Sequence, residues 1–452
     1  MQVGDFQIAI VGSGPSGFFA ADALLRSELP ITIDLYERLP TPYGLVRSGV
    51  APDHQKLKQS IQVFERIVRN PKLNFLGNVE VGVDVSVNDL RKAYHAIIFA
   101  CGAQQDRRMG IPGEDLRGSH TATEFVGWYN GHPDFRDRIF DLKQECVAII
   151  GQGNVAADVC RLLTRPVDEL RTSDIAEHAL DALAESRIRE IHIIGRRGPA
   201  QAKFTTKELR ELTALTGVVA TVDGGQLELS EACEAELSSH LSATAQKNVE
   251  VFRAAAANLP TNAEKRIHFR FFASPVAVIG DSAVQAIRLG HNRLSGEPFA
   301  QTAQSNGIEE DLPCGLIFRS IGYKGTAIPQ LPFDEHQGVV PNQLGRVVAD
   351  DGPVSGLYVT GWIKRGANGI IGTNRADSLQ TVESVFQDLG TLTTRPADGR
   401  SSVMKIINER GKRIVGIDDW FGIDAAEIQR GIEKGKPREK FTRVEDMLTV
   451  LG

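Results

Sequence analysis

Residues 6–17 read FQIAIVGSGPSG. A short apolar run rich in β-branched residues breaks at Gly12 into a turn, and residues 18–25 continue with helical character. A second apolar run, Ile31–Tyr36, closes a βαβ unit of the size that binds dinucleotides. Gly12, Gly14 and Gly17 stand in the spacing G-x-G-x-x-G, and the strand before them and the helix after them lift that pattern above chance. Gly12 permits the tight turn, Gly14 lets the backbone approach a pyrophosphate, and Gly17 allows the helix to pack closely on the strand with its N-terminus facing the phosphate charge. Glu37 ends the second strand, where a carboxylate accepts hydrogen bonds from the adenosine ribose hydroxyls. An acid there suits FAD or NAD and repels a 2′-phosphate.

The chain repeats the pattern once. Cys146–Ile150 is strand-like, Gly151-Gln152-Gly153-Asn154 turns, and a helix runs on to Leu163 before another strand at Glu190–Ile194. Gly151, Gly153 and Ala156 form G-x-G-x-x-A, the variant with alanine at the packing position. After the second strand come Gly195-Arg196-Arg197-Gly198. Two guanidiniums where an NAD site carries an acid match the geometry of a 2′-phosphate, so NADPH is favoured over NADH. Asp158, in the helix, reads as a packing or capping acid. Two adenosine signatures on one chain, one acid and one arginine pair, imply two different dinucleotides and point to flavin chemistry fed by NADPH.

Elsewhere the sequence predicts a Pro- and Gly-rich loop over 40–52, a helix over 55–68, strands over 95–100, 316–321 and 357–360, and a helical excursion over 164–187. At 452 residues and 42% hydrophobic content the chain holds two or three domains. A net charge of -6 and a pI near 6.0 argue against a general nucleic-acid binder. The five cysteines form no C-x-x-C pair, which speaks against a zinc site, a chain-borne iron–sulfur cluster, a redox dithiol and disulfide reduction. No metal site is expected. No apolar run is long enough for a membrane span, and a first strand at Phe6 leaves no room for a signal or transit peptide, so a soluble cytoplasmic protein is expected.

Six stretches go further: VGSGPSGFFAA (11–21), YERLPTPYGLVRSGVAPDH (36–54), GQGNVAADV (151–159), GRRGPAQAKFTTKELREL (195–212), GWIKRGANGIIGTN (361–374) and GKPREKF (435–441). In content and order they resemble adrenodoxin reductase and its bacterial ferredoxin-NADP reductase relatives, most closely the actinobacterial members, which lack a targeting presequence. The resemblance spans essentially the whole chain. It implies an α/β fold of two Rossmann-like domains in a glutathione reductase-like arrangement, with a discontinuous FAD domain (1–106 and 326–452) around an NADP domain (107–325). It also implies that Ser16, Glu37, Leu45 and Val81 line FAD with the first turn, and that Trp362, Gly369, Ile370 and Ile371 close over the flavin end. Arg107, Gln152, Gly153, Asn154, Val155, Arg196, Arg197 and Glu208 would contact NADP, with Gly369 near the nicotinamide. Many related flavoproteins place an Asp after the glycine of their last FAD strand; here Trp362 follows Gly361, a feature this family shares.

The activity so implied is NADPH:ferredoxin oxidoreduction by a monomer, with His54 and Glu211 meeting near the nicotinamide as an ion pair or proton relay. An acidic iron–sulfur ferredoxin needs a basic docking face, and 196–210 and 434–440 are the candidates. Two other readings stand beside this one. A flavin monooxygenase or oxidase would form peroxide rapidly, and no further substrate motif is evident. A non-catalytic redox-sensing module or electron-transfer subunit is the other, but the glutamate synthase type carries an N-terminal cysteine-rich domain, and here no cysteine precedes Cys101.

Overall fold

The computed structural model describes residues 6–258, 263–393 and 397–452. The chain divides into two compact units. One holds the described residues up to Gln105, Asn130–Pro133 and Gly322–Gly452; the other holds Asp106–Tyr129 and Asp134–Ile321. Residues 130–133 therefore cluster with the first unit, although they lie inside the middle segment of the sequence division.

In the first unit, among the described residues, seven strands form one sheet in the order Asn342–Gln343, Arg346–Ala349, Gly352–Val359, Ala96–Phe99, Phe6–Val11, Ile31–Tyr36, Leu73–Leu76. The last five are mutually parallel, and the first two add an antiparallel edge. Successive residues of Phe6–Val11 enter different cores. Phe6, Ile8 and Ile10 pack with Phe18, Leu24 and Trp420, whereas Ala9 and Val11 pack with Tyr36, Phe99 and Val359. Burial on both faces is why this strand reads as a continuous apolar run rather than an alternating one. The 55–68 region forms two helices, Gln55–Lys58 and Ile61–Val68, instead of one. Ser60 Oγ donates to the Leu57 carbonyl at 2.9 Å, a local bond that competes with helix continuation.

The second unit has a six-stranded sheet among the described residues: Ser119–Thr121, Leu316–Arg319, Cys146–Ile150, Glu190–Ile194, Lys265–Arg270, Val218–Val222. Every pairing in it is parallel. The 164–187 excursion consists of the short helices Val167–Leu170 and Glu177–Ala184. A three-stranded antiparallel sheet, Ala273–Ile279, Ala286–Ser295 and Thr302–Pro313, covers one end of this core through Val278, Ile287 and Leu289. Its strands are amphipathic at best, and the sequence reading missed them.

The helix Ile417–Glu433 is fastened to the 40–52 loop by a buried ion pair. Arg47 Nη1 and Nη2 donate to Glu427 Oε2 and Oε1 at 2.8 and 2.6 Å, its guanidinium lies over the Trp420 ring at 5.1 Å, and the Phe441 amide donates to Glu427 Oε1 at 2.9 Å. Arg438 bonds Glu427 Oε2 at 3.2 Å. Lys440 Nζ donates to the carbonyls of Arg47 (3.3 Å) and Asn130 (3.1 Å), and Lys436 Nζ lies 2.5 Å from Glu439 Oε2. Lys436 and Lys440 are thus buried. Two of the lysines in the 434–440 run, Lys436 and Lys440, are therefore internal and not part of an exposed face, because they reach a carboxylate and carbonyls that would otherwise be buried without donors, whereas Lys434 is exposed.

Burial alone would raise the Glu427 carboxyl, but the Arg47 and Arg438 guanidiniums and the Phe441 amide outweigh it and hold it below its ordinary value. The stability this contributes is present above the unfolded value of 4.5 and is lost as pH falls through the lower folded value. Glu427→Gln should lower stability by roughly 3–5 kcal/mol at neutral pH by leaving Arg47 uncompensated. In urea unfolding, the gap between variant and parent should narrow on acidification; an unchanged midpoint at pH 7 would refute the clamp.

Candidate functional site

The first turn is built by backbone contacts that exclude side chains. Gly12 has φ +108°, and a Cβ on it would stand 2.6 Å from the Ala100 carbonyl oxygen, just past the neighbouring parallel strand. A Cβ on Gly17 would lie 2.0 Å from the Gly12 oxygen. Gly14, by contrast, has nothing within 4 Å of a Cβ position and precedes the Pro15–Leu25 helix, with Pro15 where a helix can spare an N–H. Its open face and the helix N-terminus are a ready anion site.

Glu37 is brought to this turn. Its Oε2 accepts from Ser13 Oγ at 2.6 Å and Ser13 N at 3.2 Å, and its Oε1 accepts from Leu39 N at 3.1 Å. Burial, with a smaller push from Glu37, raises the nearby Cys101 thiol to about 12. Tyr43 N donates to the Ser13 carbonyl at 3.0 Å, which hangs the 40–52 loop from the turn and positions Leu45 at the start of the Leu45–Ser48 helix. Leu45 is 46% exposed and Ile370 69%. Large apolar side chains left open beside a nucleotide turn fit the surroundings of a flavin.

The Gly361–Asn374 stretch meets the same turn. A Cβ on Gly361 would stand 2.2 Å from Ser16 Oγ, and Ser378 Oγ donates to the Ser16 carbonyl at 3.0 Å. Trp362 stacks on Tyr323 (centroids 5.8 Å, 12°) and donates from Nε1 to the Asn368 carbonyl at 3.0 Å. Gly369 has φ +78°, and Ile371 opens the Ile371–Leu392 helix. Asp377 lies on that helix and ties the stretch together: it accepts from Gly361 N at 2.5 Å and pairs with Lys364 at 2.8 Å. Sequence reasoning passed over Asp377 and Tyr323, since neither sits in a motif. Val81 is 9% exposed, bridged to Val85, and packs in the core with Val11, Tyr36 and Val359.

The second turn obeys the same rule. Gly151 has φ +128°, and a Cβ there would be 2.1 Å from the Ser320 oxygen, again just past the adjacent parallel strand. Ala156 is fully buried at the packing position, and Gly153 has open space beside it. The 195–205 loop is laced to this turn: Lys203 N donates to the Gln152 carbonyl at 2.7 Å and Thr205 N to Asn154 Oδ1 at 2.8 Å. Gln152 Nε2 reaches the Arg270 carbonyl at 3.3 Å, and Val155 follows half-buried in the helix. Arg196 is exposed, and Arg197 and Arg107 are half-buried. Near Arg197, burial acts against the Glu236 charge, but bonds from Gln301, Gln201 and the Phe299 amide hold that carboxyl below its ordinary value.

Two arginines on the Asn154–Thr164 helix and just beyond it hold the acids of the Thr206–Thr213 helix. Arg161, fully buried, bonds Asp158 at 2.6 Å and Glu208 at 3.3 Å, and Arg165 bonds Glu211 at 2.8 Å. Asp158 is thus a packing acid. His54 lies in the first unit, half-buried ahead of the Gln55–Lys58 helix, and Glu211 lies in the second.

Comparison with known proteins gives this geometry its context. Residues 6–212 match the model of the pyridine nucleotide-disulphide oxidoreductase family. The chain is 44% identical over 453 residues to the NADPH-ferredoxin reductase FprA of Mycobacterium leprae, covering 98% of both chains. It is 42% identical over 459 residues to the mitochondrial NADPH:adrenodoxin oxidoreductase of Salvelinus fontinalis, covering 98% of this chain and 91% of that one. The solved structure of Mycobacterium tuberculosis FprA in complex with NADPH superposes with a TM-score of 0.92 at 42% identity, over 99% of this chain and all of that one. With the two nucleotide turns and their α/β sheets in place, these likenesses over nearly the full length show that the chain belongs to the family of NADPH-ferredoxin and NADPH:adrenodoxin reductases.

Proposed function

We propose that this chain is an FAD-dependent ferredoxin-NADP+ reductase that passes hydride from NADPH to bound FAD and single electrons onward to an iron–sulfur ferredoxin. The observation that carries this reading is the pair of nucleotide turns, one in each unit, ending on a carboxylate in the first and on two guanidiniums in the second. Relatives of matching length that are named for the same reaction support it.

The FAD domain comprises 1–106 and 326–452, and the NADP domain 107–325. Gly12, Gly14, Ser16 and Gly17 hold the FAD pyrophosphate, Glu37 the ribose, and Leu45, Val81, Trp362, Gly369, Ile370 and Ile371 the remaining surface. When bound, FAD supplies two-electron acceptance and one-electron release. The protein's share is to bind, orient and exclude water. Gly151, Gln152, Gly153, Asn154 and Val155 hold the NADP pyrophosphate, Arg196 and Arg197 the 2′-phosphate, and Arg107, Glu208 and Gly369 complete the site. His54 and Glu211 handle protons; the resemblance of the PDH and ELREL stretches supports this, and Arg165 keeps Glu211 in a fixed orientation. The protein acts as a monomer in the cytoplasm. Five unpaired thiols suit a reducing compartment, and among the described residues no helix is long and apolar enough to cross a membrane. Ferredoxin docks on the exposed cations Lys203, Lys207 and Arg210, with Arg196.

Gly17→Ala should yield protein nearly free of the flavin's visible absorbance, because the added methyl meets a backbone oxygen that has no room to give; normal flavin content would exclude this turn as the FAD cradle. Replacing Arg197 or Arg196 by Ala should raise KM for NADPH by about 10- to 100-fold, the loss of charge-assisted bonds worth about 1.5–3 kcal/mol, with little change for NADH. Ferredoxin reduction should slow steeply between low and high salt while reduction of a neutral dye does not. His54→Gln should slow hydride transfer and alter its pH profile in anaerobic stopped flow; if both stay unchanged, His54 has no part in the chemistry.

A further inference from the structure

The three-stranded antiparallel sheet of the second unit lies outside the nucleotide-binding sheet, yet it makes the bonds that hold the arginine turn. The carbonyls of three consecutive residues there each have a donor. Gly195 O accepts from Ala273 N at 3.0 Å, Arg196 O from Asn292 Nδ2 at 2.9 Å, and Arg197 O from Phe272 N at 3.1 Å. Asn292 Nδ2 spends its second hydrogen on Ser274 Oγ at 2.8 Å, and Asn292 N donates to the Phe272 carbonyl at 2.7 Å. Asn292 sits where the register of its strand shifts. Phe272 has φ +53°, the left-handed region that L side chains avoid, and its ring lies so near Gly198 that a Cβ there would stand 2.7 Å from Cζ. Backbone strain of this kind persists only where the surroundings enforce it, and it gathers at binding sites.

A guanidinium at the end of a long flexible stem binds a phosphate bidentately only if its backbone is fixed. The turn that would hold the pyrophosphate is anchored by other bonds, from Lys203 N and Thr205 N. Loosening the arginine turn should therefore affect the 2′-phosphate and spare the rest of the coenzyme.

We propose that Asn292, seated beside the strained Phe272, is a positioning residue for Arg196 and Arg197 and thereby sets the preference for a 2′-phosphorylated coenzyme. The proposal rests on the reading of those arginines as the 2′-phosphate partners. Calorimetric titration of the flavin-loaded, full-length protein with 2′,5′-ADP and with 5′-AMP tests it directly. In Asn292→Ala, and in Asn292→Ser as a second neutral variant, the Kd for 2′,5′-ADP should rise about tenfold, while that for 5′-AMP stays within about twofold. Equal weakening of both ligands, or of neither, overturns it. Arg196→Ala and Arg197→Ala separate the two ways of failing. If they leave the ratio of the two affinities untouched, the reading of the arginines fails and this inference falls with it. If they collapse the ratio while Asn292→Ala preserves it, the inference alone is wrong.

Discussion

The rest of the molecule depends on a carbonyl oxygen meeting a glycine. In each βαβ unit the strand entering the turn runs beside a parallel neighbour, and the residue just past that neighbour, Ala100 in one and Ser320 in the other, points its oxygen at the first glycine of the turn. Any side chain at Gly12 or Gly151 would push the strands apart or move the helix N-terminus away from where a phosphate must sit. The seven- and six-stranded sheets, and the helices packed on them, hold that one close approach in place. The site is therefore a product of sheet register as much as of motif.

The same constraint explains what could be read from the sequence. Backbone contacts that forbid a side chain leave glycines, and glycines in fixed spacing are visible; both turns, both following helices and the strands beside them were legible for that reason. Glu37 and the Arg196–Arg197 pair stood out as charge directly after an apolar second strand, and the fold brings Glu37 to Ser13 of the first turn. What escaped was held by long-range contacts with no local signature. Asp377, sixteen residues past Gly361 in sequence and bonded to its amide, looks like any helix acid until the chain is folded. The hairpins over 273–313 carry little apolar alternation, since much of the outer strand is solvated. Lys436 and Lys440 show why a charge run is a poor guide to a surface: their partners are carbonyls and a carboxylate brought from elsewhere or from three residues away.

The second unit also shows how ion pairs fix one helix against another. Arg161 and Arg165 grip Glu208 and Glu211 across two helices, and the loop between the second strand and those acids is bonded to the first turn at Lys203 and Thr205. Truncating either arginine would leave a carboxylate in poor solvation.

The discontinuity of the first unit sets an order on synthesis. Asp106–Tyr129 and Asp134–Ile321 make up the second unit, so its sheet is complete before Gly322–Gly452 of the first unit has been made. The opening βαβ segment must wait. Its central strand needs Gly352–Val359 beyond the neighbouring strand, and its loop needs Glu427, 380 residues further along the chain, to neutralise Arg47. Until those partners arrive, Phe6–Val11 lacks part of the sheet and core that bury it in the folded protein.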